Sequence, residues 1–318
     1  MSAALEPIVE LRLRTALGES PDIEAARAFL TGIWGQVLDS ARRVELRHQG
    51  AGLTALVVIG EPSAQRFGVP ESKVLVLCDS EDRGAQPWAA AVLEQVGPDL
   101  DEHCTVQLDG RDRALVAPLR DLGFGPTKLS LFGSVPVAVE RLRGEAIDPA
   151  QRGVEFRDAL LEEAPQITAL MRDFFRAHPE LGWGGPPPSD AEQAATDARE
   201  LARMRRGLAA EPKTDFVVVR GTDLVGYFGF DAHPQHPLFG PCAGLNIILQ
   251  PQIQRLGLGK AAYLHMLERM QQSGLTTIYG MTSNPAVIRI GQNIGRRLRR
   301  IIMRRDGPFL AAELIPQD

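Results

Sequence analysis

The sequence has few cysteines, no long apolar run and no excess of basic charge. Its three cysteines, Cys78, Cys104 and Cys242, are scattered and form no CxxC pair, which excludes a zinc ribbon and argues against a disulfide framework. No apolar run approaches the length of a membrane span, about 20 residues. The first residues, MSAALEPIVELRLR, lack a basic segment followed by an apolar one, so we expect no signal peptide. These absences predict a cytoplasmic protein with reduced cysteines and no membrane contact.

The charge balance argues against nucleic acid as a partner. The net charge is −5 at pH 7, whereas a general nucleic-acid-binding surface requires an excess of positive charge. The densest basic run, RRLRRIIMRR (Arg296–Arg305), has no interleaved aromatic residues and matches no known nucleic-acid module. We interpret it as an amphipathic strand whose arginines face solvent. Steering of an anionic substrate is one alternative.

Length and composition favour two domains. The chain of 318 residues is about twice as long as a typical domain. The segment ERLRGEAIDPAQRG (Glu140–Gly153) is polar and contains proline and glycine, which is typical of a linker. We therefore predict one domain over residues 1–145 and a second over residues 150–318.

The C-terminal half contains strand and helix signals in the order β-α-α-β-β-β-α-β-α-β-β. A short strand at Gly153–Ala159 and two helical segments come first, and the loop PELGWGGPPPSD lies between those helices. A hairpin follows, and then the apolar strand AGLNIILQP, which stops at Pro251. We predict helices from about Leu258 to Ser273 and from about Pro285 to Ile294, and strands at TTIYGMTS, RRLRRIIMRR and FLAAELI.

The stretch QRLGLGK (Gln254–Lys260) connects the apolar strand to a helix. The first N–H groups of a helix lack intrahelical partners, and its dipole places about half a positive charge there. Gly257 and Gly259 let the backbone approach a phosphate without a Cβ atom in the way, and Lys260 adds a positive charge. The stretch matches neither GxGxxG nor the P-loop GxxxxGK[ST]. An anion-binding turn and an ordinary strand-to-helix turn are both open.

Two motifs resemble those of a known family. Pro251, the Q/R-x-x-G-x-G spacing of Gln254–Gly259 and the order of elements resemble motif A of the GNAT superfamily of acyl-CoA N-acyltransferases. NPAVIRIGQNIGR (Asn284–Arg296) resembles the family's motif N-x-x-A-x-x-x-Y-x-x-x-G-F, with Asn284 and Gly295 at its asparagine and glycine. The resemblance extends from about residue 153 to the C-terminus. It implies an α/β fold with a mixed, mostly antiparallel central sheet flanked by helices.

The resemblance also implies acetyl-CoA as the acyl donor. We expect no metal, because the i,i+3 spacing of His233 and His236 is accompanied by no further ligand cluster. The backbone of Ile247, Ile248 and Leu249, in the strand before motif A, would pair with the pantetheine arm. The side chain of Asn284 would face the pantetheine or its thioester, which makes Asn284 a catalytic candidate as well. The residues implied in pyrophosphate binding are Gln254, Arg255, Leu256, Gly257, Leu258, Gly259 and Lys260. Attraction of the 3′-phosphate of CoA is a further alternative for the basic run Arg296–Arg305.

Acyl transfer to an amine requires a neutral nucleophile, because a lysine-like amine with a pKa of about 10.4 is almost fully protonated at pH 7. Asp231, at the end of the hairpin, is our candidate for the base. His233 and His236 lie in DAHPQHPLFG, which we interpret as a loop. They are alternatives in a base or substrate role, and side chains of a solvated loop are the other possibility. Cys242 has no convincing neighbour that would make it an acyl carrier, so we expect direct attack in a ternary complex.

The group that protonates the leaving thiolate is open. The family commonly places a tyrosine there as general acid, and Gly291 occupies that position here. General acid catalysis contributes typically about 10²–10⁴-fold, so its loss need not abolish activity. Tyr227 and Tyr279 are alternative acids, and each could equally be a core or cleft aromatic.

The N-terminal half has the same strand-turn-helix layout, in SKVLVLCDSEDRGAQPWAAAVLEQV. Aligned on motif A, Gln86 and Trp88 replace the two glycines and fill the space where phosphates approach. Gly123 corresponds to Gly295. We therefore predict a tandem of two GNAT-like domains, of which the N-terminal one is degenerate and lacks an intact CoA motif. An unrelated α/β domain is the alternative.

The predicted function is transfer of an acetyl group from acetyl-CoA to a primary amine of a small molecule or a peptide. The alternative is a non-catalytic acyl-CoA-binding or regulatory protein, which Gly291 and the lack of a carboxylate on the strand Gly244–Gln250 favour. The acceptor is chosen by loops that carry no transferable code. The sequence leaves a homodimer open.

Overall fold

The strands of both halves join in one sheet. The protein's computed structural model describes residues 2–15, 22–50, 52–64, 70–79, 81–100, 103–178, 190–209, 212–254, 256–305 and 309–315. In the N-terminal half these residues form α1 (Ser2–Thr15), α2 (Ile23–Asp39), β1 (Ala41–Gln49), β2 (Gly52–Gly60), β3 (Ser63–Ala64), β4 (Pro70–Cys78), α3 (Ala85–Val96), β5 (Cys104–Asp109), α4 (Val116–Asp121), β6 (Gly125–Ser134) and α5 (Val135–Arg143). In the C-terminal half they form β7 (Glu155–Asp158), α6 (Ala164–Ala177), α7 (Asp190–Ala209), β8 (Asp215–Arg220), β9 (Asp223–His236), β10 (Gly240–Leu249), α8 (Pro251–Gln254), α9 (Leu258–Gln272), β11 (Thr277–Thr282), α10 (Pro285–Asn293) and β12 (Arg297–Arg304). The predicted order of elements in the C-terminal half is confirmed through β12, apart from the added single turn α8.

The last strand of each half lies among the strands of the other half. The sheet order is β1-β2-β4-β5-β12-β6-β11-β10-β9-β8-β7. β12 pairs antiparallel with β5 and β6, and β6 pairs antiparallel with β11. Each half also contains one parallel pair, β4 with β5 and β10 with β11. The halves are therefore related by an approximate two-fold axis between β12 and β6, and the predicted second GNAT-like fold is confirmed. The boundary near residue 145 stays a prediction, because both predicted domains contribute to the same sheet.

The prediction of a strand at FLAAELI is wrong. Phe309–Ile315 contains a single 3₁₀ turn at Ala312–Leu314. Both edges of β12 already pair, with β5 and β6, so no ladder position is left for this segment. Leu310, Leu314 and Ile315 are instead buried in the core beneath α3 and α4.

Helices cover both faces of the sheet. On the front face, as we call it, α1 and α2 pack against the N-terminal strands and α6 and α7 against the C-terminal strands. On the back face, α3 and α4 cover the N-terminal strands, and α5 and α9 the C-terminal ones. Side chains alternate accordingly: in β8, Val217 faces α6 and α7, whereas Phe216 and Val218 face α9. The predicted mixed, mostly antiparallel sheet flanked by helices is confirmed. None of the helices in the described residues is long and apolar enough to cross a membrane.

Candidate acyl-CoA and acceptor site

Strands β10 and β11 run parallel and then diverge. They pair through Cys242–Gly244 and Thr277–Tyr279. Beyond this stretch β10 continues along β9 to Leu249, and β11 continues along β6 to Thr282. Because each strand keeps its outer partner, a gap opens between their carboxyl ends. Ligands of open α/β sheets bind at such positions.

The backbone of β10 offers hydrogen-bonding groups to this gap. The Gln250 N–H donates to the Val225 carbonyl (3.0 Å), so the even-numbered residues of β10 are those that pair with β9. Because antiparallel pairing alternates, the N–H and C=O groups of Ile247 and the N–H group of Leu249 point toward the gap, whereas the groups of Ile248 point toward β9. The predicted pairing with pantetheine therefore fits Ile247 and Leu249 better than Ile248.

The turn after β10 uses its first amides internally. The N–H groups of Gln254 and Leu256 donate to carbonyls within the turn, at 3.2 and 3.1 Å. The side-chain amide of Gln254 donates to the Leu249 carbonyl (2.8 Å) and ties the turn to the strand. The backbone amides left for the predicted pyrophosphate contact therefore begin at Gly257. Arg255 lies outside the described residues.

The start of α9 presents a set of N–H groups that we call the amide cradle (Gly257–Lys260). Gly257 precedes the helix with a φ of 77°, a conformation that favours glycine, and no side chain caps the helix. The N–H groups of the next three residues have no acceptor within the helix. The side chain of Leu258 is buried in the core, and Lys260 pairs with Glu145. This is the geometry of an anion site at a helix N-terminus.

Helix α10 lies beside the amide cradle. A Cβ atom on Gly259 would lie 3.4 Å from Cδ1 of Ile290. Asn284 caps α10: its Oδ1 accepts from the Ala286 N–H (2.9 Å), and its own N–H donates to Oγ1 of Thr282 (3.0 Å). Capping alone is a sufficient reason for asparagine here. Its contact with pantetheine or the thioester stays a prediction.

Asp231, Gly244 and Tyr279 lie side by side on three strands where the gap begins, and we call them the reaction row. Gly244 pairs with Asp231 on β9 and with Tyr279 on β11, so all three face the front of the sheet. The Tyr279 ring covers Gly244, because a Cβ atom there would lie 3.8 Å from its Cζ. Asp231 is exposed, and its Oδ2 accepts from the side-chain amide of Asn246 (3.3 Å). The strand register thus brings a carboxylate and a phenol together.

Of the two tyrosines considered as acids, Tyr279 fits the role better. It is half-buried, and burial, with Cys242 and Asp231 nearby, raises its pKa, so the phenol stays protonated. Tyr227 is buried beneath α6 and α7 and donates to Asp215 (2.5 Å). Burial and Asp215 raise the pKa of Tyr227 well above its ordinary value, and its position is that of a core residue.

His233 and His236 lie in a strand. The interpretation of DAHPQHPLFG as a loop is wrong up to His236, because β9 continues to that residue and pairs with β10. The imidazole of His236 stacks on Phe239 with ring centroids 4.5 Å apart, and His233 lies 5.9 Å from Tyr279. Burial, with His233 and Arg299 nearby, lowers the pKa of His236. Within the described ranges, no group of three or more His, Cys, Asp or Glu side chains could hold a metal ion.

Neighbouring side chains fill the position of the family's tyrosine. A Cβ atom on Gly291 would lie 2.8 Å from Cδ1 of Leu131 and 3.4 Å from Cδ of Arg296. Leu131 belongs to β6, which strand exchange places beside β11. Arg296 is buried and donates to the Leu131 carbonyl (2.8 Å). The exchanged strand therefore accounts for glycine at this position.

The N-terminal counterpart of the amide cradle begins at Gly84. Helix α3 starts after Gly84 as α9 starts after Gly257. The sequence alignment, which matched Gln86 with Gly257, is therefore shifted by two residues. In the structure Gly84 corresponds to Gly257, and Gln86 corresponds to Gly259. Trp88 lies further along the helix and packs against the back-face core.

A carboxylate of the chain itself occupies this N-terminal helix end. Asp82 accepts from the Gly84 N–H (2.8 Å), the Thr54 hydroxyl (2.7 Å) and the Arg47 guanidinium (2.8 Å). The hydrogen bonds from Arg47 and Thr54 lower the pKa of Asp82 to about 2. A Cβ atom on Gly84 would lie 2.3 Å from the Arg47 side chain. The place of an external anion is thus taken, which supports the prediction that this half binds no CoA.

Asp112 takes the place of Asn284 in the N-terminal half, just before the helical turn that leads into α4. It is 1% exposed, and its Oδ1 accepts from the side-chain amide of Gln86 (3.3 Å). Its Oδ2 has no hydrogen-bond partner among the residues described. Burial, with Asp109 nearby, raises the pKa of Asp112 to about 7.

Asp112→Asn is expected to change how stability depends on pH. The folded state holds the Asp112 proton more tightly than the unfolded state, where the aspartate pKa is about 3.9. Between about pH 4 and pH 7 the wild type therefore loses about 1.4 kcal/mol per pH unit relative to the variant. Urea unfolding at about pH 5 and about pH 8 measures this, and the difference should favour the variant more at the higher pH. A difference that does not vary with pH would contradict the raised pKa.

The C-terminal half matches a known family. Residues 168–290 match the acetyltransferase (GNAT) family. The chain is similar to the structure of a GCN5-related N-acetyltransferase from Sphaerobacter thermophilus, at 12% identity and a TM-score of 0.52, with 98% of this chain and 96% of that chain covered. It is also similar to a tandem GNAT protein from the clavulanic acid biosynthesis pathway (14% identity, TM-score 0.47, 95% and 94% covered) and to an acetyltransferase from the GNAT family from Colwellia psychrerythraea (12% identity, TM-score 0.46, 87% and 95% covered). No curated protein matches the sequence.

The family match includes β10, the amide cradle and most of α10. The similarity to the Sphaerobacter structure extends over nearly the whole chain and concerns the fold. The C-terminal half therefore contains a domain of the GNAT acetyltransferase family, and the N-terminal half has a GNAT-like fold.

Proposed function

We propose that the protein is an N-acyltransferase that transfers an acetyl group from acetyl-CoA to a primary amine of a small molecule or a peptide. The observation that carries this proposal is the divergence of β10 and β11 directly before the amide cradle (Gly257–Lys260). An open strand edge suits the amides of a pantetheine arm, and a helix N-terminus suits a pyrophosphate. The family match supports acyl transfer in general.

Transfer would proceed by direct attack. The amine nitrogen bonds to the thioester carbonyl carbon, and the C–S bond then breaks to release the CoA thiolate. Cys242, which lies beside the gap, is poorly suited to carry the acyl group. It is buried, and burial raises the pKa of its thiol to about 11, so little thiolate exists at neutral pH. This supports a ternary complex of protein, donor and acceptor.

Residues of the reaction row would accept the proton of the attacking amine and donate a proton to the leaving thiolate. Asp231, exposed on the front face, would accept the proton of the attacking amine, directly or through water. Tyr279, kept protonated by its raised pKa, would donate to the leaving thiolate. Because the two residues flank Gly244, one thioester at the start of the gap would be within reach of both.

A non-catalytic acyl-CoA-binding protein is the second candidate. The observation that favours it is Gly291, because Leu131 and Arg296 fill the space of the family's tyrosine. Such a protein would bind CoA and turn over no amine.

One assay separates the two candidates. CoA release from acetyl-CoA is measured with a panel of small amines and a lysine peptide, and CoA binding is measured by calorimetry. Turnover of at least one amine supports the acyltransferase, binding without turnover supports the second candidate, and absence of CoA binding overturns both. For the acyltransferase, Asp231→Asn is expected to lower kcat by about 10²–10⁴-fold and to leave the Kd of CoA unchanged.

A further inference from the structure

Four rings pack together on the front face, beside the reaction row. We call His236, Phe239, Tyr279 and Phe132 the ring pocket. The Phe239 ring lies among the others, with centroid distances of 4.5 Å to His236, 5.3 Å to Phe132 and 6.0 Å to Tyr279. All four residues are half-buried.

Arg299 adds a buried positive charge to the ring pocket. It lies in β12 where the register with β6 shifts, and its guanidinium carbon is 4.1 Å from the centroid of Phe239. Only 9% of the residue is exposed. No carboxylate in the described part of the chain forms an ion pair with Arg299. A buried charge without a counter-ion is costly, and this points to an anion that the chain itself does not supply.

The surroundings of Arg299 contain more cations than carboxylates. Asp109 attracts Arg299 electrostatically, but it already pairs with Arg12 (3.0 Å) and Arg111 (3.2 Å). Burial, and the nearby cations Arg300 and Arg12, lower the pKa of Arg299. Four guanidinium groups thus lie near two carboxylates, Asp109 and Asp112, and burial raises the pKa of Asp112 to about 7. A carboxylate on a ligand would relieve this imbalance.

Tyr279 connects the ring pocket to the reaction row. Its ring stacks on Phe239 and also covers Gly244, across which lies Asp231. One small molecule could therefore present its amine near Asp231 and an anionic group at Arg299. The planar fork of arginine holds a carboxylate through two parallel hydrogen bonds, and the rings suit an apolar or planar body.

We propose that the acceptor is an amine of the amino-acid type, whose carboxylate binds Arg299 and whose body packs in the ring pocket. This rests on the N-acyltransferase function proposed above. It also gives the N-terminal half a role, because that half supplies Phe132 on the exchanged strand β6 and the Arg12–Asp109 ion pair beside Arg299. Acceptor binding then requires residues from both halves.

Calorimetric titration with matched pairs of compounds tests this proposal. The pairs are histidine and histamine, phenylalanine and phenethylamine, tyrosine and tyramine, and tryptophan and tryptamine, which differ within each pair by one carboxylate. They are titrated with and without free CoA, which carries no acyl group to transfer. The wild type is expected to bind at least one amino acid about 10- to 100-fold more tightly than its matched amine.

Three variants locate the preference for the carboxylate. Arg299→Met removes the charge and keeps an apolar stem, and it is expected to abolish the preference. Arg299→Lys keeps the positive charge but loses the planar guanidinium group, and it is expected to retain a preference for the carboxylate that is about tenfold weaker. This variant tests the proposal if Arg299→Met fails to fold. Arg220→Gln removes an exposed arginine at the end of β8 and is expected to retain the full preference.

Two results would overturn the proposal: a wild type with no preference for the carboxylate, or a preference that survives in Arg299→Met or is unchanged in Arg299→Lys. A structural role is distinguished by thermal unfolding. Because Arg299 is a buried charge without an anion, Arg299→Met is expected to unfold at or above the wild-type temperature when no ligand is present. The titrations transfer no acyl group, so a carboxylate preference without CoA release in the assay above would count against the enzyme function and not against the pocket.

Discussion

Gly257→Trp is expected to abolish CoA binding, with a loss of affinity of about 100-fold or more. The indole would stand before the N–H groups of the amide cradle, where a Cβ atom alone would lie 3.4 Å from Cδ1 of Ile147. The substitution also forces a residue with a side chain to adopt a φ of 77°, which costs about 1–2 kcal/mol. Calorimetric titration with CoA measures the loss.

Gly274→Trp is the control that introduces similar backbone strain without blocking the amide cradle. Gly274 follows the other end of α9 with a φ of 75°, and a Cβ atom there would meet open space. The strain is therefore similar, and CoA affinity is expected to be unchanged. Trp88→Gly is also expected to leave CoA affinity unchanged, because Asp82 occupies the helix end of the N-terminal half. Loss of CoA binding in either control would contradict the proposed position of the site.

Gly291→Tyr is expected to destabilise the protein by about 3 kcal/mol and not to raise activity. Although the change restores the family's residue, the Cβ atom alone would lie 2.8 Å from Cδ1 of Leu131, in a buried position. The phenol would in addition bury a hydroxyl, which is costly without a hydrogen-bond partner. Urea unfolding measures the difference from the wild type.

Combining Leu131→Ala with Gly291→Tyr tests whether the close contact with Leu131 causes the expected loss of stability. Because alanine makes room for the new ring, the double variant is expected to be more stable than the sum of the single changes predicts, by about 1–3 kcal/mol. Gly32→Tyr is the control: Gly32 is exposed in α2, a Cβ atom there meets nothing within 4 Å, and the change is expected to stay within about 0.5 kcal/mol of the wild type. Additive effects would contradict the contact between α10 and the exchanged strand β6.

The candidate CoA site was predictable from the sequence because its signals are local. A helix predicted from about Leu258 to Ser273 is observed at Leu258–Gln272, after a glycine with positive φ. The amides that the turn uses internally were not predictable. The hydrogen bonds of Gln254 and Leu256 depend on the coordinates of the turn, and the sequence motif does not distinguish engaged amides from available ones.

Two errors have a common cause, the influence of residues distant in the chain. FLAAELI has the apolar content of a strand, but β5 and β6 already occupy both edges of β12. In the N-terminal half, the start of α3 is fixed by Asp82, which accepts from the nearby Gly84 N–H and is held in place by two distant residues, Thr54 and Arg47. A comparison of motifs placed Gln86 at that point, because spacing alone does not show where a helix begins.

By itself, the sequence determined the order of elements in the C-terminal half through β12, the glycines that open α9 and the likeness of the two halves, because each depends on residues close together in the chain. Only the tertiary structure decided the strand exchange and its consequences. Leu131 excludes a side chain at Gly291, which is 160 positions away in the chain. The guanidinium group of Arg299 in β12 packs on the ring of Phe239, which lies between β9 and β10. Pairing between distant strands leaves no periodic signal in the sequence, since it is set by which edges remain free when the two halves come together.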